Sequence, residues 1–201
     1  MTTSFVTDHQ PPEKRRRYCS DGIEQKLTEA AVQLAFSLYL FDHPEGGALV
    51  EMYPDGEHAK RFAIPTFLGS LGFSLAKPIG STAYGGEYVR GDQTLVVNPK
   101  SKHGRGDVVG SIAGRTVRAE CKGGIINSRH SGALSSLRSG FNELIGQTMA
   151  MEENGDRHVV VAPRTTATLT QAQRLRARCE KAGIEIALVS TDGAIEFIVG
   201  E

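Results

Sequence analysis

Two carboxylates and one lysine, residue types that can act together on a phosphate ester, are spaced to meet near the middle of the chain. Glu120 and Lys122 are two residues apart, so in a strand their side chains share one face while Cys121 lies on the other. Asp107 precedes Glu120 with twelve residues between them. Two adjacent carboxylates repel each other unless a cation lies between them, and hard oxygen ligands suit Mg²⁺ or Mn²⁺. A neighbouring lysine could orient or deprotonate an attacking water, so this set has the groups that phosphodiester hydrolysis needs.

These residues meet only if the segment folds as a hairpin. Residues 108–112 and 116–118 are typical of short strands, and a glycine-containing turn is predicted at 113–115. Pairing about that turn would bring Asp107 to the level of Glu120 or of the lysine that follows it. The alternative is a surface hairpin on which the glutamate and the lysine form only a solvated cross-strand pair.

The motif Gly106-Asp107, twelve further residues and Glu120-Cys121-Lys122 resembles the active-site signature of the PD-(D/E)XK nuclease superfamily. Members of this superfamily have the restriction-endonuclease-like fold, in which the Asp and the Glu-x-Lys lie on adjacent strands, followed by a helix and a further strand. The resemblance extends over about half the chain, with a glycine in the place of the usual proline before the Asp. It implies a metal-dependent nuclease.

The resemblance also implies a role for each residue of the motif. Asp107 and Glu120 would bind Mg²⁺ or Mn²⁺ together with the backbone carbonyl of Cys121, and Lys122 would position or activate the water that attacks the phosphorus. Most members act on DNA, in restriction, repair, recombination or defence, so DNA is the expected substrate and RNA the alternative. Such enzymes often work as homodimers, or with a partner protein.

A further carboxylate is expected on the first core helix, because several branches of the superfamily carry a metal-supporting glutamate there. Apolar residues recur at helical spacing over residues 23–41 and predict that helix. At about 100° per residue, Glu24 falls on the edge of the apolar stripe and Glu29 nearly opposite its centre, which favours Glu24. An alternative alignment takes residues 65–71 as the first core helix and brings Glu57 near the site. A third alternative has no helix acid.

Residues around the motif supply further candidates. A helix predicted over about 135–153 carries Gln147, which resembles the Gln or basic residue that some members place near the scissile phosphate. His130 could act as an acid for the leaving group or have no role. Candidate contacts to the nucleic-acid backbone are basic side chains on both sides of the hairpin: Lys100, Lys102, Arg105, Arg129 and Arg138.

Charge is unevenly distributed along the chain of 201 residues, whose net charge is zero. Residues 98–131, which include the motif, contain seven basic and two acidic residues. Because phosphate contacts supply most non-specific affinity for nucleic acid, this local excess matters more than the total. No apolar run approaches the length of a membrane span. The three widely spaced cysteines predict neither a disulfide framework nor a zinc site, which favours a cytoplasmic location.

The pattern of apolar residues predicts an α/β fold. Residues 1–20 would form a flexible basic arm, and residues 21–201 a single nuclease-like domain whose active-site core covers about 93–190. The valine run at 158–162 predicts a strand buried on both faces, and the strand, helix and strand from there onward predict a right-handed parallel crossover. The predicted architecture is a mixed sheet with helices on both faces, in the order of the αβββαβ core of the restriction-endonuclease-like fold. Two other classes are alternatives: a non-catalytic nucleic-acid-binding module with this fold, and a Rossmann-like nucleotide-sensing domain.

Overall fold

A mixed sheet flanked by helices dominates the computed structural model of the protein, which describes residues 4–54, 62–98, 106–151 and 154–199. The strands are β1 (Val6–His9), β2 (Glu24–Leu27), β3 (Leu49–Met52), β4 (Ser74–Pro78), β5 (Gly86–Arg90), β6 (Gln93–Val97), β7 (Val108–Ile112), β8 (Arg115–Cys121), β9 (Gly124–Ile125), β10 (Arg157–Pro163), β11 (Ile184–Val189) and β12 (Ile195–Val199). The helices are α1 (Glu13–Arg16), α2 (Glu29–Asp42), α3 (Ile64–Ser70), α4 (Ser131–Met149) and α5 (Thr166–Lys181), with a 3₁₀ turn at Ser20–Gly22.

The large sheet has the strand order β12-β11-β10-β8-β7-β3-β6-β5-β4, and β1, β2 and β9 form a small separate sheet. Strands β7 and β8 pair antiparallel from Ile112 opposite Arg115 to Val108 opposite Ala119, which confirms the predicted hairpin. The turn of this hairpin needs a positive φ at two successive residues, and Ala113 and Gly114 have φ angles of 52° and 74°. Strand β10 then lies parallel to both β8 and β11, as the predicted crossover requires.

Two apolar layers cover the two faces of the sheet. Strand β10 contributes to both, because Val159 and Val161 belong to the core under α2, whereas Val160 and Ala162 belong to the core under α4 and α5. All four side chains are at most 2% exposed, which confirms a strand buried on both faces. The fold is therefore mixed α/β, with helix α2 on one face of the sheet and helices α4 and α5 on the other.

The helix predicted from residue 23 begins six residues later. Asp21 and Gly22 have φ angles of 54° and 70°, which a right-handed helix does not contain, and the next residues form strand β2. Thr28 caps α2, because its hydroxyl accepts a hydrogen bond from the Ala31 N–H at 3.1 Å. The prediction that Glu24 lies on the first core helix was therefore wrong, since it lies in β2, where pairing with β1 overrides the helical spacing.

The predicted N-terminal arm was also wrong for the residues that the structure describes. Strand β1 pairs antiparallel with β2, and Phe5 is only 8% exposed, with its ring 4.6 Å from that of Phe67. Arg15 forms an ion pair with the buried carboxylate of Glu24 at 3.4 Å. The segment from residue 5 to residue 20 is thus part of the domain, because it carries an aromatic side chain and strand partners that the domain buries.

No helix of the described segments is both long and apolar enough to cross a membrane.

Candidate active site

Asp107 is attached to strand β8 at the level of Glu120. Its backbone N–H donates to the Ala119 carbonyl at 2.7 Å, and its Oδ2 accepts from the Cys121 N–H at 2.9 Å. The expected level of Asp107 on the hairpin is therefore confirmed. Gly106 has a φ of 119°, a conformation that proline cannot adopt, so this backbone explains why glycine stands there.

The side chains of β8 alternate between the two faces of the sheet. Ala119 and Cys121 are buried in the core under α2, so the half-buried Glu120 and Lys122 project to the other face, toward α4. A residue's N–H and C=O point to the same side of its strand. The Cys121 carbonyl therefore points to the side on which Asp107 lies, while the Lys122 N–H donates to the Val161 carbonyl on the opposite side at 3.0 Å.

Burial and nearby negative charge both act on the thiol of Cys121. Burial raises the pKa of Cys121 well above its usual range, and the negative charges of Asp107, Glu29 and Glu120 raise the pKa further. Helix α2 begins at Glu29, and its start packs against the end of β8 at Gly123, so Glu29 is a third acid close to the hairpin. Sequence reasoning placed Glu29 away from the site because it began the helix too early. The usable signal was Thr28 followed by Glu29, an N-cap residue and an acid in the first turn.

Gly123 lets helix α2 approach the end of β8. A Cβ at this position would lie 2.4 Å from the Glu29 backbone N and 2.6 Å from the Leu27 carbonyl oxygen, distances that no side chain tolerates. The glycine directly after Lys122 therefore allows the start of α2, with Glu29, to approach the end of β8 closely.

Lys122 lies along helix α4. Its Nζ is 3.5 Å from Glu143 Oε2, and its side chain remains 37% exposed. A Cβ on Gly140 would lie 3.2 Å from Lys122 Cγ, so this glycine makes room for the aliphatic part of the lysine. Glu143 and Gly140 thus determine the position of the lysine, and neither was identified as a site residue from the sequence.

A cleft of about 190 Å³ opens beside the lysine. Lys26 of β2 lines it together with Lys122, while Ser136 and Thr168 come from α4 and α5. Two ammonium groups on one small cleft favour an anionic ligand such as a phosphate. Lys26 was not among the sequence candidates, because it comes close to the site only through the pairing of β2 with β9, in which Lys26 is opposite Ile125.

The remaining candidate residues are exposed, have other partners or lie outside the described residues. Gln147 is exposed on α4, four residues and about one helical turn beyond Glu143. His130 caps α4, with Nδ1 accepting from the Gly132 N–H at 3.2 Å. Arg129 and Arg138 are exposed. Glu24 is held by Arg15, and four candidates lie outside the described residues: Glu57, Lys100, Lys102 and Arg105.

The donor atoms beside Asp107 are of the kind that Mg²⁺ prefers. Two carboxylates and a backbone carbonyl supply hard oxygen ligands, and Mg²⁺ commonly completes its shell with water and substrate phosphate. Within the described ranges, no group of three or more His, Cys, Asp or Glu side chains is arranged to hold a metal ion. The smaller set of Asp107, Glu120 and the Cys121 carbonyl needs no third side chain, so its chemistry fits a divalent cation.

The raised pKa of Cys121 predicts a loss of stability at alkaline pH. Below pH 9.0, the usual pKa of the thiol, Cys121 is protonated in both the folded and unfolded states. Above it the unfolded thiol ionises while the folded one stays protonated, so the free energy of unfolding falls by up to about 1.4 kcal/mol per pH unit. Between about pH 8 and pH 10, the free energy of unfolding measured with urea should therefore decline less steeply for Cys121→Ala than for the parent.

The control for this measurement is Cys179→Ala. Burial alone raises the pKa of Cys179, and no carboxylate adds to it. We expect Cys179→Ala to alter the pH dependence less than Cys121→Ala does. Parallel curves for the parent and Cys121→Ala would contradict the burial of this thiol in the folded protein.

Comparison of the chain with family models, curated proteins and solved structures found no match.

Proposed function

We propose that the protein is a metal-dependent nuclease of the PD-(D/E)XK type that hydrolyses phosphodiester bonds in DNA. The observation that carries the proposal is the attachment of Asp107 to β8, where its carboxylate accepts from the Cys121 N–H between Glu120 and Lys122. The order of elements supports it as well, because helix α2 is followed by β3, β7 and β8, then by α4 and β10. This is the order that the αβββαβ core would have, with the strands between β3 and β7 as an addition.

Each residue of the group has a role in the proposed reaction. Asp107 and Glu120 hold the divalent cation with the Cys121 carbonyl. When bound, Mg²⁺ would polarise a phosphoryl oxygen and lower the pKa of its water. Lys122 orients the attacking water and offsets the negative charge that develops on the phosphate. Glu143 directs the Lys122 ammonium, from which it is 3.5 Å away.

Glu29 is the proposed helix acid in place of Glu24, while Glu57 lies outside the described residues. It is the first residue of α2, whose start packs against the end of β8 at Gly123. A third carboxylate strengthens the attraction for a cation, either directly or through a bound water. Arg129 and Arg138 remain proposed phosphate contacts, since both are exposed and follow the hairpin in sequence.

Metal binding and cleavage test the proposal together. The parent protein is incubated with Mg²⁺ or Mn²⁺ and supercoiled plasmid, linear duplex, single-stranded DNA or RNA, and we expect metal-dependent cleavage of DNA. Thermal unfolding with Mn²⁺ measures binding, which stabilises by about 2.7 kcal/mol at 100 times the dissociation constant. Asp107→Asn should lose both responses. Its amide oxygen can still accept from the Cys121 N–H, so the substitution removes a charge and not the attachment to β8.

Asp92→Asn, at an exposed position in the β5–β6 turn, is the matched control and should behave like the parent. Cleavage of RNA alone would change the substrate assignment. Binding of DNA without cleavage under any metal, and without stabilisation by Mn²⁺, would refute the nuclease in favour of the non-catalytic binding module.

A further inference from the structure

The N-terminal basic residues form a surface together with the loop that precedes α4. We call it the basic–aromatic surface; its members are Lys14, Arg16, Arg17, Tyr18, Arg129 and His130. The four cationic side chains are exposed, and the two rings are half-buried. The Arg129 N–H donates to the Tyr18 carbonyl at 2.8 Å, which joins the two segments.

Aromatic and guanidinium groups contact one another within this surface. The Arg17 guanidinium lies 4.9 Å from the centre of the Tyr18 ring, and it also donates to the Tyr18 hydroxyl at 2.9 Å. The His130 ring meets Tyr18 edge-on, with centres 5.0 Å apart and planes at 72°. Nucleic-acid bases stack on aromatic rings and on guanidinium planes, so this arrangement offers both kinds of partner.

A buried carboxylate holds the surface in place. Glu24, whose side chain is only 7% exposed, pairs with Arg15 at 3.4 Å. Cys19 also forms a β-bridge with Ser128. Because Arg15 is neutralised by Glu24, the other three cations of the 14–17 run are left to face solvent, opposed in α1 only by Glu13. The surface is therefore positive and fixed on the domain.

The small sheet connects this surface with the cleft beside Lys122. Strands β2 and β9 run antiparallel, with Lys26 opposite Ile125 at the end near the cleft. At the other end, Asn127 donates to the Ile23 carbonyl and accepts from the Gln25 N–H, both at 2.8 Å. Ile23 precedes Lys26 by three positions, a span of about 10 Å along the extended chain. The cleft and the basic–aromatic surface therefore lie at the two ends of one short stretch of the small sheet.

We infer that the basic–aromatic surface binds unpaired nucleotides of a nucleic-acid strand that leads into the cleft. The inference rests on the proposed function for what enters the cleft, and it adds that the protein prefers single-stranded substrate or a single-stranded end. The guanidinium and ammonium groups of the surface bind the phosphates, and the aromatic ring of Tyr18 stacks on bases. Bases inside a duplex are stacked on their neighbours and cannot reach Tyr18, so the aromatic contact distinguishes single strands from duplexes.

Binding without metal tests this inference apart from catalysis. Fluorescence anisotropy in EDTA measures the affinity of the full chain for labelled oligo(dT), oligo(rU) and a duplex of equal length. The triple variant Lys14→Gln, Arg16→Gln, Arg17→Gln should bind single strands at least about tenfold more weakly, and the slope of log affinity against log salt should fall by about 2. Tyr18→Leu should weaken single-strand binding about fivefold or more with the salt slope unchanged.

The matched control is the triple variant Arg174→Gln, Arg176→Gln, Arg178→Gln. It removes the same charge from exposed positions in the C-terminal half of α5. We expect its affinity to stay within about twofold of the parent, since affinity should depend on the contacted surface and not on net charge alone. Melting temperatures of all variants show whether each one is folded.

The outcomes separate this inference from the nuclease proposal. Equal losses in the two triple variants, or an unaffected Tyr18→Leu, would overturn the single-strand surface even if DNA is cleaved. Tighter binding of either single strand than of the duplex, lost in Tyr18→Leu, would support it even if no cleavage is found. In that case the surface would belong to a binding module, and only the nuclease proposal would fail.

Discussion

Replacement of Lys122 by Met is expected to slow metal-dependent DNA cleavage by about a hundred- to a thousandfold, the usual cost of losing one group that stabilises transition-state charge. Met retains an unbranched apolar side chain, so it can occupy the space beside Gly140 that the lysine stem now fills. The ion pair with Glu143 is lost, but both partners are more than a third exposed, and such pairs contribute little to stability. The expected effect is therefore on the rate and not on folding.

Initial rates of cleavage, measured at saturating Mg²⁺, check this prediction. Stabilisation by Mn²⁺ should persist in Lys122→Met, because the proposed metal ligands are unchanged. Lys77→Met is the matched control, since Lys77 Nζ also lies 3.5 Å from a glutamate, Glu87, at a surface far along the sheet. Cleavage by Lys122→Met at the parent rate would remove the lysine from the reaction.

Glu143→Gln completes this comparison. If Glu143 only directs Lys122, its loss should reduce the rate less than the loss of Lys122 itself, and the double variant should be no slower than Lys122→Met. Such non-additivity is expected for residues that act through one group. Additive losses would indicate that Glu143 has a separate role.

Replacement of Gly123 by Ala should be the most destabilising change near the site, by about 3 kcal/mol. The new Cβ would overlap the backbone of residues 27–29, and backbone cannot move aside as the end of a long side chain can. Either β8 or the start of α2 must shift. Because Glu29 begins α2, we also expect weaker stabilisation by Mn²⁺ in the fraction that folds.

Thermal unfolding measures this effect, and a loss of 3 kcal/mol corresponds to a melting temperature roughly 6–12 °C lower in a chain of this size. Gly146→Ala is the control. A Cβ at Gly146 meets no atom within 4 Å, and the residue is inside helix α4, where Ala should stabilise by about 0.5–1 kcal/mol. Equal stability of Gly123→Ala and the parent would contradict the close approach of α2 to the end of β8.

Strands β4 and β5, at one edge of the large sheet, show where the spacing of apolar residues does not predict a strand. Strands β4 and β5 were not predicted, since the residues of β4 are all exposed and have no alternating apolar pattern. Strand β4 pairs with β5 and β5 with β6 through backbone hydrogen bonds, which do not depend on side-chain hydropathy. By contrast, both faces of β10 are apolar, and this continuous apolar run predicts the strand to within one residue at each end.

The residues of the candidate site likewise fall into two groups, those that the sequence predicts and those that only the tertiary structure adds. The sequence by itself determined the hairpin and its acid and lysine residues, because the turn, the alternation along β8 and the spacing of Asp107 from Glu120 are local properties of 16 residues, 107–122. Tertiary structure alone decided which further residues join them. Glu29, Lys26 and Glu143 come from α2, β2 and α4, and they meet the hairpin through strand pairing and helix packing.

The same holds for the N-terminal segment, whose basic run is compatible with a solvated tail when considered alone. Its position depends on contacts between residues far apart in the chain, such as the hydrogen bond from the Gln25 N–H to Asn127, 102 positions away. Local propensity contains no information about such pairs, because their free energy is gained only when two distant segments are buried together. Sequence therefore determined the chemistry of the hairpin, and the tertiary structure decided which surface surrounds it.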